Sequence, residues 1–181
     1  MASDAFILLG DALWLDFVNT ARGRTAFAPD LLPNAGAYAE WCGQLHLNGH
    51  GEPAPFAGVL ALRDRLTELA QALHDLRQPS AGAIAALNEQ LARSPGSHQL
   101  TRVAGEWRLR FAPARPLGPL EAVARSAAAT LADPSVAVRQ CAGDGCTLYF
   151  TDDSPTGSRR WCDPAVCGGN AWVERRRGLR R

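Results

Sequence analysis

Four of the five cysteines in this chain fall within 27 residues, and that crowding limits what the C-terminal quarter can be. They are arranged as Cys141-Ala-Gly-Asp-Gly-Cys146, a 15-residue linker, and Cys162-Asp-Pro-Ala-Val-Cys167, which is C-x4-C-x15-C-x4-C. An extracellular disulfide framework would spread cysteines across the fold, yet residues 1–135 hold only Cys42. Two tight turns that each offer a pair of thiolates complete a tetrahedron around one Zn²⁺ and leave no position open. Cys141, Cys146, Cys162 and Cys167 are therefore read as the ligands of one structural zinc ion per chain. Two local disulfides or free buried thiols are the alternative. Gly143 and Gly145 suit a loop whose backbone wraps closely around a metal. Cys42, in Tyr-Ala-Glu-Trp-Cys-Gly on an expected helix, reads as a buried core thiol.

The segment between the cysteine pairs is expected to form a β-hairpin. Thr147-Leu148-Tyr149-Phe150-Thr151 is rich in strand formers, residues 152–158 carry turn chemistry, and Arg159-Arg160-Trp161-Cys162 returns to the metal. Asp163-Pro164 then reads as a cap followed by proline at the first helical position, with Cys167 in the opening turn of a helix towards Arg177. A knuckle, a hairpin and a ligand-bearing helix make a treble-clef-like finger. Elements this short depend on the ion for their stability.

The other 135 residues supply a larger core. An apolar run, Leu13 to Val18, carries Asp16 within it and is followed by Asn19, Thr20, Arg22 and Arg24. Helices are expected over about residues 35–47, 56–76, 81–92 and 118–131; the second has Leu62, Leu66, Leu69 and Leu73 on one face. Arg63, Asp64, Arg65 and Glu68 read as its solvated face. Residues 98–111 look like a hairpin turning at Ala104-Gly105-Glu106. Asp133-Pro134-Ser135 is the best boundary, giving an N-terminal domain of residues 1–135 and a finger of residues 136–181. The fold class is α+β: a mainly helical N-terminal domain with a β-hairpin, plus the small treble-clef-like finger.

Charge is informative only locally. Residues 1–135 hold 11 Arg against 13 acidic residues, net −2, and residues 136–181 hold 8 Arg against 5, net +3. Four zinc-bound thiolates would lower the latter to +1. Residues 171–181 nonetheless concentrate Arg175, Arg176, Arg177, Arg180 and Arg181 against Glu174 alone. The chain lacks both an export signal and a membrane-length apolar run, so a cytoplasmic protein with no membrane partner is expected. His46, His50, His74 and His98 are scattered, and no H-E-x-x-H, G-x-S-x-G or P-loop pattern accompanies them. With a closed zinc site as well, no enzyme is expected.

The finger resembles the bacterial CGNR zinc-finger family, in Phe150-Thr151-Asp152-Asp153-Ser154, Arg159-Arg160-Trp161-Cys162 and Cys167-Gly168. Leu15-Asp16-Phe17-Val18-Asn19-Thr20 resembles the opening motif of that family's α/β regulatory domain, ABATE. The resemblance covers nearly the whole chain and implies a stress-induced transcription regulator. The chain departs from the name-giving motif: Gly169 and Asn170 stand where the family has Asn and Arg, and Trp172 replaces a lysine.

The resemblance implies DNA as a partner, contacted through Arg159, Arg160 and the Arg175, Arg176, Arg177, Arg180 and Arg181 tail. For Arg159 and Arg160 the equal alternative is neutralising the zinc tetrathiolate and bonding its sulfurs. Asp16, Asn19 and Arg22 are candidates for lining a small-molecule effector pocket, or else for tying a helix end or a neighbouring loop. A DNA-binding regulator of this kind commonly acts as a homodimer. The competing functional readings are a zinc-stabilised protein-interaction module and a small-molecule sensor.

Overall fold

A seven-residue helix, α1 (Leu13–Asn19), lies where the two halves of the fold meet. Its sequence, LWLDFVN, is apolar almost all round, and such a helix is stable only when most of its surface is covered. Trp14, Leu15 and Phe17 are wholly buried. The structure is a computed structural model and describes residues 6–21, 25, 27–47 and 54–168.

Around α1 stand α2 (Ala35–Gln44), α3 (Phe56–His74), α4 (Ala81–Ala92) and α5 (Pro119–Ala132). Their starts follow local rules. The Asn34 side chain accepts from the Ala37 N–H at 3.0 Å, and Ser80 accepts from the Ala83 N–H at 3.1 Å. Helix α5 opens on a proline, and its Glu121 reaches back to the Gly118 N–H at 2.9 Å. Leu62, Leu66 and Leu69 of α3 face inward with Val59, as their spacing predicts. Helix α1 packs on α3 and α5, and α4 on both of these. Trp14 fixes the α1–α5 contact by donating its indole N–H to the Thr130 hydroxyl at 3.0 Å.

One residue of the expected solvated face of α3 behaves otherwise. Arg63 is buried and donates to both Asp30 oxygens, at 2.8 and 2.5 Å, and to the Thr20 hydroxyl at 3.1 Å. It ties the loop after α1 to α3, and beside it the Asp30 carboxyl, although burial opposes this, lies below its ordinary pKa.

Strands β1 (Gly96–Val103) and β2 (Glu106–Pro113) form the expected hairpin. Its two-residue turn, Ala104-Gly105, has positive φ at both positions, the backbone that matches strand twist.

The second hairpin differs from expectation. Strand β4 (Tyr149–Asp152) does not pair with residues 159–162; it pairs antiparallel with β3 (Ala137–Gln140), which precedes the first cysteine. The reason lies in where residues 160–162 make their bonds. The Arg160 carbonyl accepts from the Ala142 N–H at 2.8 Å, and the Cys162 N–H points at the Cys141 sulfur at 3.3 Å. That stretch belongs to the knuckle and not to a sheet.

All four residues of β4 are buried because the strand separates two cores. Tyr149 packs with Val138 into the helical core, whereas Leu148 and Phe150 join the cysteines in a second one. The alternation of side chains along a strand makes this division. On the outer edge of β4, Asn19 acts as a one-residue strand. Its side chain accepts from the Tyr149 N–H at 2.8 Å and donates to the Tyr149 carbonyl at 2.9 Å.

Replacing Asn19 with alanine removes both of these buried bonds. A loss of about 2–4 kcal/mol is expected from two buried backbone groups deprived of that partner. Urea denaturation should report it, with faster amide exchange at Tyr149. Unchanged stability would show that Asn19 is not the clasp.

Candidate metal centre

The knuckle that follows β3 begins with Cys141, whose N–H donates to the Leu148 carbonyl at 2.8 Å, and ends with Cys146. The second pair is set by Asp163. Its carboxylate accepts from the Ala165 N–H at 2.9 Å, and its carbonyl accepts from the Cys167 N–H at 2.8 Å. These bonds close the single wide turn Pro164–Gly168 that carries Cys167.

The four sulfurs lie within 4.8 Å of one another, with Cys146–Cys162 at 3.9 Å and Cys162–Cys167 at 3.7 Å. Sulfurs at the corners of a zinc tetrahedron stand about 3.8 Å apart when each metal bond is about 2.3 Å. The donor set therefore fits one structural zinc ion, and four thiolates complete its coordination. Two backbone N–H groups already point at one sulfur: Cys162 at 3.3 Å and Gly143 at 3.4 Å from Cys141 Sγ. Despite burial, they hold the Cys141 thiol below its ordinary pKa. Burial pushes Cys162 upward and Cys167 to about 11, and the neighbouring Cys141 adds to both shifts. A divalent cation at the centre offsets the cost of ionising four crowded thiols. Gly143 is fixed by contact: a Cβ there would stand 2.8 Å from Cys167 Cβ and 3.0 Å from its sulfur.

Arg159 and Arg160 point to different places. Arg159 donates to the carbonyls of Trp161 at 3.0 Å and Cys162 at 2.7 Å, pairs with Asp11, and lies 4.5 Å over the Phe150 ring. With its side chain only 22% exposed, it clasps the knuckle to the N-terminal segment, and it does so through carbonyls and not sulfurs. Arg160 is exposed, and its guanidinium stacks 5.5 Å over Trp161. Arg175, Arg176, Arg177, Arg180 and Arg181 lie outside the described residues, as do Gly169, Asn170 and Trp172.

The N-terminal motif is brought to the finger. Asp16 accepts from the Gly10 N–H at 2.8 Å, and the Gly10 carbonyl accepts from the Thr151 N–H at 3.0 Å, so residues 9–11 form a strap over β4. Ile7 and Leu9 of that strap pack on the cysteine core. Asp16 and Asn19 thus make the tying bonds that were the alternative to a pocket, and Arg22 lies outside the described residues. A cleft of about 390 Å³ nonetheless adjoins Asn19. It is lined by Asp64, Glu68 and Gln71 of α3 and by Gln140 and Tyr149 of the finger hairpin. Asp16 is not among its lining residues.

In the sequence Asp152 read only as part of the turn over residues 152–158 and of the motif that begins at Phe150. Its buried carboxylate accepts from Arg139 Nε at 2.7 Å, the Arg159 N–H at 3.1 Å, the Ser154 N–H at 3.1 Å and the Ser154 hydroxyl at 2.6 Å. The Asp-x-Ser spacing was the available signal, since that pair closes such turns. The strap residues left no pattern at all.

Residues 11–134 match the family model ABATE, described as "Putative stress-induced transcription regulator", and residues 137–180 match the CGNR zinc finger. No curated protein matches the chain.

Two outcomes follow from this geometry. Gly143→Ala should keep the helical core but hold zinc at least about tenfold more weakly, since the methyl displaces a ligand. Chelator competition reads this, and unchanged retention would contradict the fit. For Asp16, burial raises the pKa to about 6, opposed by the Gly10 N–H and aided by the Asp11 charge. The folded protein then binds the proton more tightly, so Asp16's contribution to stability falls as pH rises from about 4 to about 6. Asp16→Asn keeps the acceptor and removes the charge. It should gain about 1–2 kcal/mol over the parent at pH 7, narrowing towards pH 4. A constant difference across that range would refute the assignment.

Proposed function

The chain belongs to the ABATE family, and from that premise we propose that residues 1–135 are a sensing and assembly unit controlling a DNA-binding finger in residues 136–181. The observation that carries the proposal is strand β4. It belongs to the finger, yet Tyr149 is part of the helical core and is held on its open edge by Asn19. A change in the packing of α1 or α3 therefore reaches the knuckle through one strand. Neither matched family is an enzyme family, and the four-thiolate set gives zinc a structural task.

Nucleic-acid contact falls to Arg160 and to the arginine tail, residues 175–181. Arg160 is exposed and backed by an indole, which suits a guanidinium presented to a phosphate. Arg159 serves the finger as a positioning residue. The sensing half of the proposal is supported by the cleft beside Asn19, because its walls come from α1, α3 and the finger hairpin together. A small-molecule effector seated there would touch both halves. Among the described residues no helix is long and apolar enough to cross a membrane. Thiolate ligands persist in a reducing compartment, so we place the regulator in the cytoplasm.

Fluorescence anisotropy on a random duplex at two salt concentrations tests the proposal. Intact protein should bind with a steep salt dependence, and removing residues 175–181 should flatten the slope by several units. Arg160→Glu should weaken binding without loss of zinc. Failure of the intact protein to bind would move the function to protein interaction, with zinc serving the fold alone.

A further inference from the structure

The β1–β2 hairpin is strongly two-faced. The register places His98 opposite Phe111, Leu100 opposite Leu109 and Arg102 opposite Trp107 on one face. Gln99 with Arg110, Thr101 with Arg108, and Val103 with Glu106 occupy the other. The polar face is what water requires. The apolar face lacks what an apolar face requires, since Leu100 is 67% exposed, Leu109 66% and Trp107 69%. Among the described elements β1 and β2 chiefly contact each other, and only the base of the hairpin is seated, with Arg125 over Phe111 at 6.0 Å. A two-stranded ribbon gains independent stability when its apolar face is covered. Three large apolar side chains held side by side in water mark an interaction surface.

We propose that this face docks a second copy of the chain, the two hairpins stacked face to face and pointing in opposite directions. The Leu100–Leu109 pair then lies on the two-fold axis, where a self-complementary patch needs its apolar centre. The helical bodies fall at opposite ends of the stack. The only ionic side chain on the face at its exposed end, Arg102, is stacked on Trp107 of its own hairpin at 5.9 Å, so the patch asks for no oppositely charged partner. Eight residues per strand give a face about 26 Å long, and with its base seated the free part offers at most roughly 400 Å², or roughly 800 Å² over two copies. That is below the total of about 1,200 Å² that specific, stable interfaces bury, so the dimer is weak and transient and forms with rising concentration.

Sedimentation equilibrium of the zinc-loaded full chain, over about 1–200 μM where such interfaces dissociate, tests this directly. The parent protein should rise from the one-chain towards the two-chain mass. Leu109→Glu should associate at least about tenfold more weakly, because it places a carboxylate at the centre of a dry patch. Gln99→Glu, on the opposite face, should dimerise as the parent does. The exposed positions of Leu109 and Gln99 leave folding and zinc content unchanged, and metal analysis checks this. A parent that stays monomeric throughout, or a Leu109→Glu protein that associates as the parent does, overturns the proposal. No nucleic acid is present, so the outcome is independent of whether the finger binds DNA.

Discussion

Four thiols crowded within 4.8 Å of one another repel as soon as they ionise, and only a cation between them makes the arrangement favourable. The C-terminal part of the chain is organised around that constraint. Among the described residues its regular structure amounts to a four-residue strand pair and one wide turn, too little to persist alone. What completes it are bonds aimed at the cysteines or at their carbonyls: two N–H groups on Cys141 Sγ, the Arg159 guanidinium on the Cys162 carbonyl, and the Asp163 carbonyl on the Cys167 N–H. Remove the charge balance at the centre and these partners hold nothing in place.

Strand β4 carries that order into the rest of the molecule. Its alternating side chains serve the helical core and the cysteine core in turn, and its outer edge is held by Asn19 and by the Gly10 carbonyl. The N-terminal segment thus has two tasks: α1 forms the centre of the helical core, and residues 7–11 lie over the finger. The cleft beside Asn19 lies where these pieces converge. A regulator needs a place where one event can reach another site, and a strand shared by two cores has that property.

Much of this was legible in the sequence. The ligand spacing named all four cysteines, and leucine periodicity found α3, because both depend on local pattern. The Ala104-Gly105-Glu106 turn marked where two strands end, again by local chemistry. What local pattern could not supply was partnership. Tyr149-Phe150-Thr151 read correctly as a strand, but its mate was β3 and not the segment returning to Cys162, since strand formers do not encode which neighbour they meet. Arg63 carries the same lesson. A cation on a helix reads as solvated until the loop that brings Asp30 to it is known. Asp16 and Asn19 stood out as polar groups in an apolar run. Whether they served a ligand or the backbone depended on Gly10 and Tyr149, and Tyr149 is 130 residues from Asn19.

The central claim is that one zinc ion, closed by four sulfurs, is the organising element of the finger. X-ray absorption at the zinc edge of the purified full chain tests it most directly. The account predicts four sulfur neighbours at about 2.3 Å and no nitrogen or oxygen in the first coordination sphere. Three sulfurs with a nitrogen or oxygen neighbour would contradict it, opening the site and leaving one of Cys141, Cys146, Cys162 and Cys167 without the part assigned to it.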